Sequence, residues 1–165
     1  MTEWYLEPAR EPDEALRDQA QARQDNLTKP KGSLGRLEDV AVQLSALQGT
    51  LTPRVDKPLI AVFAGDHGVA AEGVSAYPQL VTAEMVRNFA NGGAAISVLA
   101  KQLKAQFSVV NVGTVYAIED LPNVVDRRVG AGTQNMCVTE AMTREQCLEA
   151  FDVGRDTLDG ADDIN

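Results

Sequence analysis

The chain has 165 residues, the length of one ordinary domain, and its 44% hydrophobic and 24% charged residues are the balance of a globular protein, which excludes disorder and fibrous repeats. Aromatic residues make up only 5%, so aliphatic side chains must fill the core. Fifteen basic against 24 acidic residues leave a net charge of −9, with Glu149, Asp152, Asp156, Asp159, Asp162 and Asp163 set against Arg155 alone, a surface that repels phosphodiester backbones and anionic membranes.

The first segment, MTEWYLEPAREPDEALRD, is acidic and has no apolar signal core. DEALRDQAQARQDNL follows with acids in its first turn and good helix formers throughout, which predicts a surface helix ending near Asn26. TKPKGSLG is a loop. Ser33 is placed to cap a second helix whose apolar positions Leu34, Leu37, Val40, Ala41, Leu44 and Leu47 form one stripe, stopped by Gly49. After the linker LTPRVDKP, the run LIAVFAG has no polar alternation and reads as a strand covered on both faces, as in a parallel sheet.

Thr82 is placed to cap the helix AEMVRNF, and GGAAISVLAKQL reads as a second helix after the break at Gly92-Gly93. QFSVVNVGT is then another buried strand, so strand, helices and strand make a βαβ unit with a right-handed crossover. Within LPNVVDRRVGAGTQNM a short strand is expected at 124–129, and Thr143 with Gln146 forms a capping box for a last helix over 144–158. Two or three parallel strands need further strands to close a core. The expectation is therefore a chain belonging to something larger, with a small self-contained α/β domain as the alternative. Its divisions are read as a helical segment over 1–50 and the first part of an α/β domain over 51–165.

Several chemistries lack their residues. Neither strand is followed by G-x-G-x-x-G, KPKGSLG lacks the strand before it and the lysine-serine ending of a P-loop, and there is no G-x-S-x-G elbow. Cys137 and Cys147 have neither C-x-x-C spacing nor a nearby histidine, so they read as reduced, small apolar residues. No stretch approaches the ~20 apolar residues of a membrane span, and a cytoplasmic protein is expected.

Asp66 and His67 leave the carboxyl end of the first predicted strand, where α/β folds place their ligands. On the residues alone two readings stand: a reacting or binding loop, or an aspartate capping the turn with His67 as a packed polar side chain. One histidine is too few ligands for a metal. Glu72 and Glu84 are each a possible general base or a solvated charge. Pro78 holds Tyr77 extended, which presents its ring either to a flat ligand or to the core. Gly130-Ala131-Gly132-Thr133-Gln134-Asn135 combines glycines that admit close backbone approach with three polar side chains, the composition of a ligand loop and equally of a turn before a helix.

Four stretches occur in order and register: DNLTKPKGSLGRLEDVAVQL, VFAGDHGVAAEGVSAYPQLVTAEMVRNFANGGAAISVLA, VVNVGT and GAGTQNMCVTEAMTREQ. Over about residues 20–160 the chain resembles the nicotinate-nucleotide:dimethylbenzimidazole phosphoribosyltransferases, the CobT family of cobalamin lower-ligand assembly. The resemblance implies a Rossmann-like three-layer α/β fold, incomplete in this chain, a small subdomain built partly by the N-terminal helices, and a homodimer. It implies transfer of ribose 5-phosphate from nicotinate mononucleotide to a benzimidazole base, with no cofactor. By position in the family pattern Tyr77 and Met85 look like walls of the base slot; some relatives carry Ser and Gln there. Asp66 and His67 look like architecture of the crevice, and Gly132, Thr133 and Asn135 join them as expected substrate-binding residues. Family members continue into a Gly-Glu segment ending Asn-Thr-Thr and a distal catalytic glutamate. The catalytic glutamate is thus expected beyond residue 165, neither Glu72 nor Glu84 takes its role by alignment, and the chain is expected to resemble an N-terminal half, inactive by itself. A non-catalytic benzimidazole-binding module is the alternative.

Overall fold

The computed structural model describes residues 4–159; Asp162 and Asp163 of the acidic run lie outside them. The chain divides into two compact units at Asp56/Lys57.

The first unit is a helix pair. Helix α1 (Glu14–Asn26) is capped by Asp13, whose carboxylate accepts the Leu16 N–H at 2.9 Å. Helix α2 (Arg36–Gln48) ends at Gly49, which adopts the left-handed conformation that glycine alone takes without strain. Its start corrects the expectation of a Ser33 cap, since the helix begins after Gly35 without a side-chain cap. Glu38 organises this turn instead: it is nearly buried, accepts the Leu34 N–H at 3.0 Å and pairs with Lys29 Nζ at 2.7 Å. Those partners hold its carboxyl below the usual range.

The buried face of α2 is a second correction. Val42, Ser45 and Ala46 are buried, whereas Leu37 is 68% exposed and Leu34, Val40 and Leu47 are exposed with it. The mostly polar α1 offers chiefly the small Ala20 for burial, so the helices approach through small side chains, with the Asp13 N–H reaching Ala46 O at 3.0 Å.

The second unit is a parallel α/β layer with three strands among the described residues, in the order β1-β2-β3. Strand β1 (Leu59–Gly65) pairs with β2 (Gln106–Gly113) from Leu59↔Gln106 to Gly65↔Gly113, and β2 with β3 (Val124–Asp126) from Val109↔Val124. Past β3 the Arg127 and Val129 N–H groups still reach Asn111 O and Val112 O, which continues the pairing toward the predicted end at 129. Helices α3 (Leu80–Ala90) and α4 (Ala95–Leu103) form the crossover, α3 packing on both β1 and β2 and α4 on β2. Helix α5 (Arg144–Asp159) starts at the predicted capping box: the Thr143 N–H donates to Gln146 Oε1 at 3.0 Å, and the Gln146 N–H to Thr143 Oγ1 at 3.2 Å.

Ala64, Val86 and Val109 form the core, with Val62, Phe89, Phe107, Ile118 and Val124 around them. Central β2 buries Val109, Val110 and Asn111. Full coverage expected for both strands holds only for β2; β1, an outer strand of the sheet among the described residues, leaves Phe63 48% exposed. No helix among the described residues is long and apolar enough to cross a membrane.

Arg87 anchors α3 to the segment after β2. Its guanidinium grips Glu119 with both oxygens at 2.8–3.0 Å and pairs with Glu84 at 2.8 Å. The hydrogen bonds from Arg87 pull the Glu119 carboxyl down to about 2. A depressed carboxylate contributes stability above its unfolded value and loses it as pH falls through the folded one. Arg87→Met should therefore lower the melting temperature slightly at pH 7, with the deficit against the parent shrinking between pH 4.5 and 2. Thermal unfolding at stepped pH checks this; a deficit independent of pH would mean that the pair contributes nothing through charge.

Candidate active site

Gly65-Asp66-His67-Gly68 emerges from β1 beside the end of β2, and Asp66 is the residue on which the surrounding loops converge. It is 5% exposed. Its Oδ1 accepts the Thr82 hydroxyl of α3 at 2.6 Å, and its Oδ2 accepts the Val115 N–H at 2.8 Å. Its own N–H donates to Gly113 O at 2.9 Å, and its carbonyl accepts the Thr133 N–H at 3.0 Å. A buried carboxylate is tolerated only with such partners, and these four bonds join β1, α3 and the loops after β2 and β3. Thr82 thus serves Asp66 rather than capping α3. The helix starts earlier, after the turn in which the Val81 N–H donates to Pro78 O at 2.9 Å.

His67 is exposed, with Nδ1 3.5 Å from Thr133 Oγ1. Its carbonyl accepts Gln79 Nε2 at 3.1 Å. Residues 67 and 133 form a parallel bridge, completed by the Gly68 N–H donating to Thr133 O at 3.0 Å. The approach is so close that a Cβ on Gly68 would lie 2.5–2.7 Å from backbone atoms of Thr133, Gln134 and Asn135. Gly132, with φ +78°, turns the facing loop against Asp66 O.

Two cavities flank this ridge. The larger, about 550 Å³, is walled mainly by apolar side chains, among them Phe63, Tyr77, Val81, Met85 and Phe89. Its polar groups are largely engaged: Asp66 with Thr82, Gln79 with His67 O, and Ser75, whose hydroxyl donates to Tyr77 O at 2.9 Å and accepts the Tyr77 N–H at 3.3 Å. That small turn presents Tyr77, which is 71% exposed. The smaller cavity, about 110 Å³, lies between the strand ends and α5, lined by Gly113, Gly132, Thr133, Met142 and Gln146.

The expected site residues therefore separate. Tyr77 and Met85 line the larger cavity, Gly132 and Thr133 the smaller, and Asp66 and His67 both. Asn135 lines neither; its amide donates to Glu72 Oε1 at 2.6 Å and its Oδ1 accepts the Cys137 N–H. Glu84 also lies outside both, paired with Arg87. Phe63, Gln79 and Gln146 line these cavities without having been singled out by sequence reasoning. Gln79 carried a local signal, since it follows the Tyr-Pro pair directly, while Phe63 and Gln146 carried none beyond strand and cap. No group of three or more His, Cys, Asp or Glu side chains among the described residues is arranged to hold a metal.

A family model described as DBI_PRT, phosphoribosyltransferase, matches residues 9–164. Among curated proteins, the nicotinate-nucleotide–dimethylbenzimidazole phosphoribosyltransferase of Pseudomonas syringae pv. tomato is 59% identical over 155 residues, which is 94% of this chain and 44% of that protein. The enzyme of the same name from Pseudomonas aeruginosa strain LESB58 is 54% identical over 156 residues, with the same coverage. A solved structure of the Thermus thermophilus enzyme matches with a TM-score of 0.78 at 46% identity, over 87% of this chain and 44% of that one. Another from that organism, described as CobT, matches with a TM-score of 0.80 at 45% identity, over 89% and 44%. The chain spans under half the length of these relatives.

Proposed function

This chain belongs to the phosphoribosyltransferase family, and from that premise we propose that it forms the base-binding part of an enzyme moving ribose 5-phosphate from nicotinate mononucleotide to 5,6-dimethylbenzimidazole. The products are α-ribazole 5′-phosphate and nicotinate, in cobalamin lower-ligand assembly. The observation that carries the reading is the larger cavity: an apolar crevice at the strand ends, with Tyr77 and Met85 among its lining residues, suits a flat aromatic base. The names of the relatives support the same substrates.

In the proposed reaction a benzimidazole nitrogen attacks the anomeric carbon, the bond from that carbon to the nicotinate nitrogen breaks, and nicotinate leaves with the bonding pair. The other imidazole nitrogen then gives its proton to a carboxylate. Asp66 is poorly placed for that role, because it is 5% exposed and its two oxygens are turned to the Thr82 hydroxyl and the Val115 N–H. Its part is to hold the crevice together. His67, Gly132 and Thr133 shape the wall shared with the smaller cavity, and Asn135 acts at one remove by holding Glu72. We further propose a cytoplasmic homodimer that works without a cofactor. A non-catalytic benzimidazole-binding module is the second reading, favoured by a crevice whose one carboxylate among the described residues is engaged.

Tyr77 tests the slot. Removing a stacking ring forfeits contact with a flat ligand, about 0.5 to 1.5 kcal/mol beyond area burial. In an enzyme at the length of its relatives, Tyr77→Ala should raise the benzimidazole KM by about tenfold and leave the nicotinate mononucleotide KM nearly unchanged. Steady-state kinetics with each substrate varied in turn reads the result. An unchanged benzimidazole KM, or an equal loss for both substrates, would remove Tyr77 from the slot.

A further inference from the structure

Thr82 is a polar side chain of α3 that both lines the larger cavity and bonds to its floor. It sits three residues before Met85, so the two share a helix face. Its partner Asp66 is fixed from three other directions, through the Val115 N–H, Gly113 O and the Thr133 N–H. The short bond from Thr82 Oγ1 to Asp66 Oδ1, at 2.6 Å, therefore ties α3 to a rigid point on the sheet. The other anchor of the helix is Arg87 on Glu119, at the far side of Met85. Together with the buried Ala83 and Val86, these anchors set the rotation and height of α3, and with them the position of the Met85 side chain in the cavity.

We propose that Thr82 is a positioning residue for the base slot, acting through the Thr82–Asp66 hydrogen bond to hold Met85 at the distance a flat ring requires. This rests on reading the larger cavity as the benzimidazole slot. The Thr82 hydroxyl is engaged with the aspartate and is not a contact for the base. Removing it while keeping the β-branched shape leaves Asp66 Oδ1 buried without that donor and frees the first turns of α3 to shift. Sites held more loosely than about 0.5 Å lose binding even when every lining residue is present.

The test uses the 165-residue chain and 5,6-dimethylbenzimidazole, titrated calorimetrically well below the melting temperature of every variant. Thr82→Val should weaken binding about five- to tenfold, and Thr82→Ser, which keeps the hydroxyl, should restore it to within about twofold. In a Met85→Ala background, Thr82→Val should cost little more, because the residue through which it acts is gone. Equal binding by Thr82→Val and the parent would overturn the proposal, as would losses by Thr82→Val and Met85→Ala that simply add. If Thr82→Val does not fold, an unrestored affinity in Thr82→Ser would overturn it as well. No binding by the parent chain would instead remove the slot reading itself, and the positioning role with it.

Discussion

The 165-residue chain is expected to release no measurable nicotinate from nicotinate mononucleotide and dimethylbenzimidazole. Among the described residues Asp66 is the only carboxylate lining either cavity, and it is nearly buried with its two oxygens turned to Thr82 and Val115. Glu72 lies outside both cavities with Oε1 accepting from Asn135, and Glu84 is held by Arg87. A carboxylate that must receive a proton from the attacking base needs an accessible oxygen within hydrogen-bond reach of it, and loss of a positioned base costs about 10²- to 10⁴-fold by itself. Chromatography of released nicotinate decides the matter. Robust turnover by the pure chain would point to Glu72 or Glu84 as the base, and Glu72→Gln and Glu84→Gln would then identify which. An enzyme at the length of its relatives should turn over; if it also fails, the binding-module reading gains.

Gly68→Ala should be the most damaging single methyl in the second unit. The added carbon would meet Asn135 N at 2.5 Å, the Gln134 carbonyl carbon at 2.6 Å and Thr133 O at 2.7 Å, all backbone atoms with no flexible side chain to move aside. The facing loop must retreat, breaking the bridge between His67 and Thr133 and the wall shared by both cavities. Overpacking costs about 1–3 kcal/mol and the lost hydrogen bonds about 1 kcal/mol more, so a loss of about 3 kcal/mol and about 10 °C in Tm is expected. Gly154→Ala in α5 is the internal contrast. Nothing lies within 4 Å of its added carbon, and a helical glycine exchanged for alanine should raise stability by up to about 1 kcal/mol. Thermal unfolding of both variants reads the opposite signs; a Gly68→Ala chain melting with its parent would show that the 133–135 loop yields easily.

Strands β1 and β2, the end of α1 at Asn26, the stop of α2 at Gly49 and the start of α5 were legible in the sequence because their determinants are local. A continuous apolar run, a left-handed glycine or a Thr-x-x-Gln pair carries its hydrogen-bonding consequence within a few residues. The resemblance covering 20–160 likewise rested on motifs in order, and it led to the family. What only the tertiary structure decided was where side chains spend their polar groups and which faces they cover. Ser33 and Thr82 have equal local claims to be helix caps. Thr82 is drawn instead to a carboxylate sixteen residues earlier in the chain, and Ser33 yields to Glu38. The stripe on α2 has the right period, yet its neighbour α1 accepts the small-residue face. Asn135 and the glycine loop belong together in sequence, but the loop faces the smaller cavity while the Asn135 amide turns to Glu72. Period and caps are properties of one segment; the partner of a buried polar atom is chosen by whichever segment the fold brings within about 3 Å.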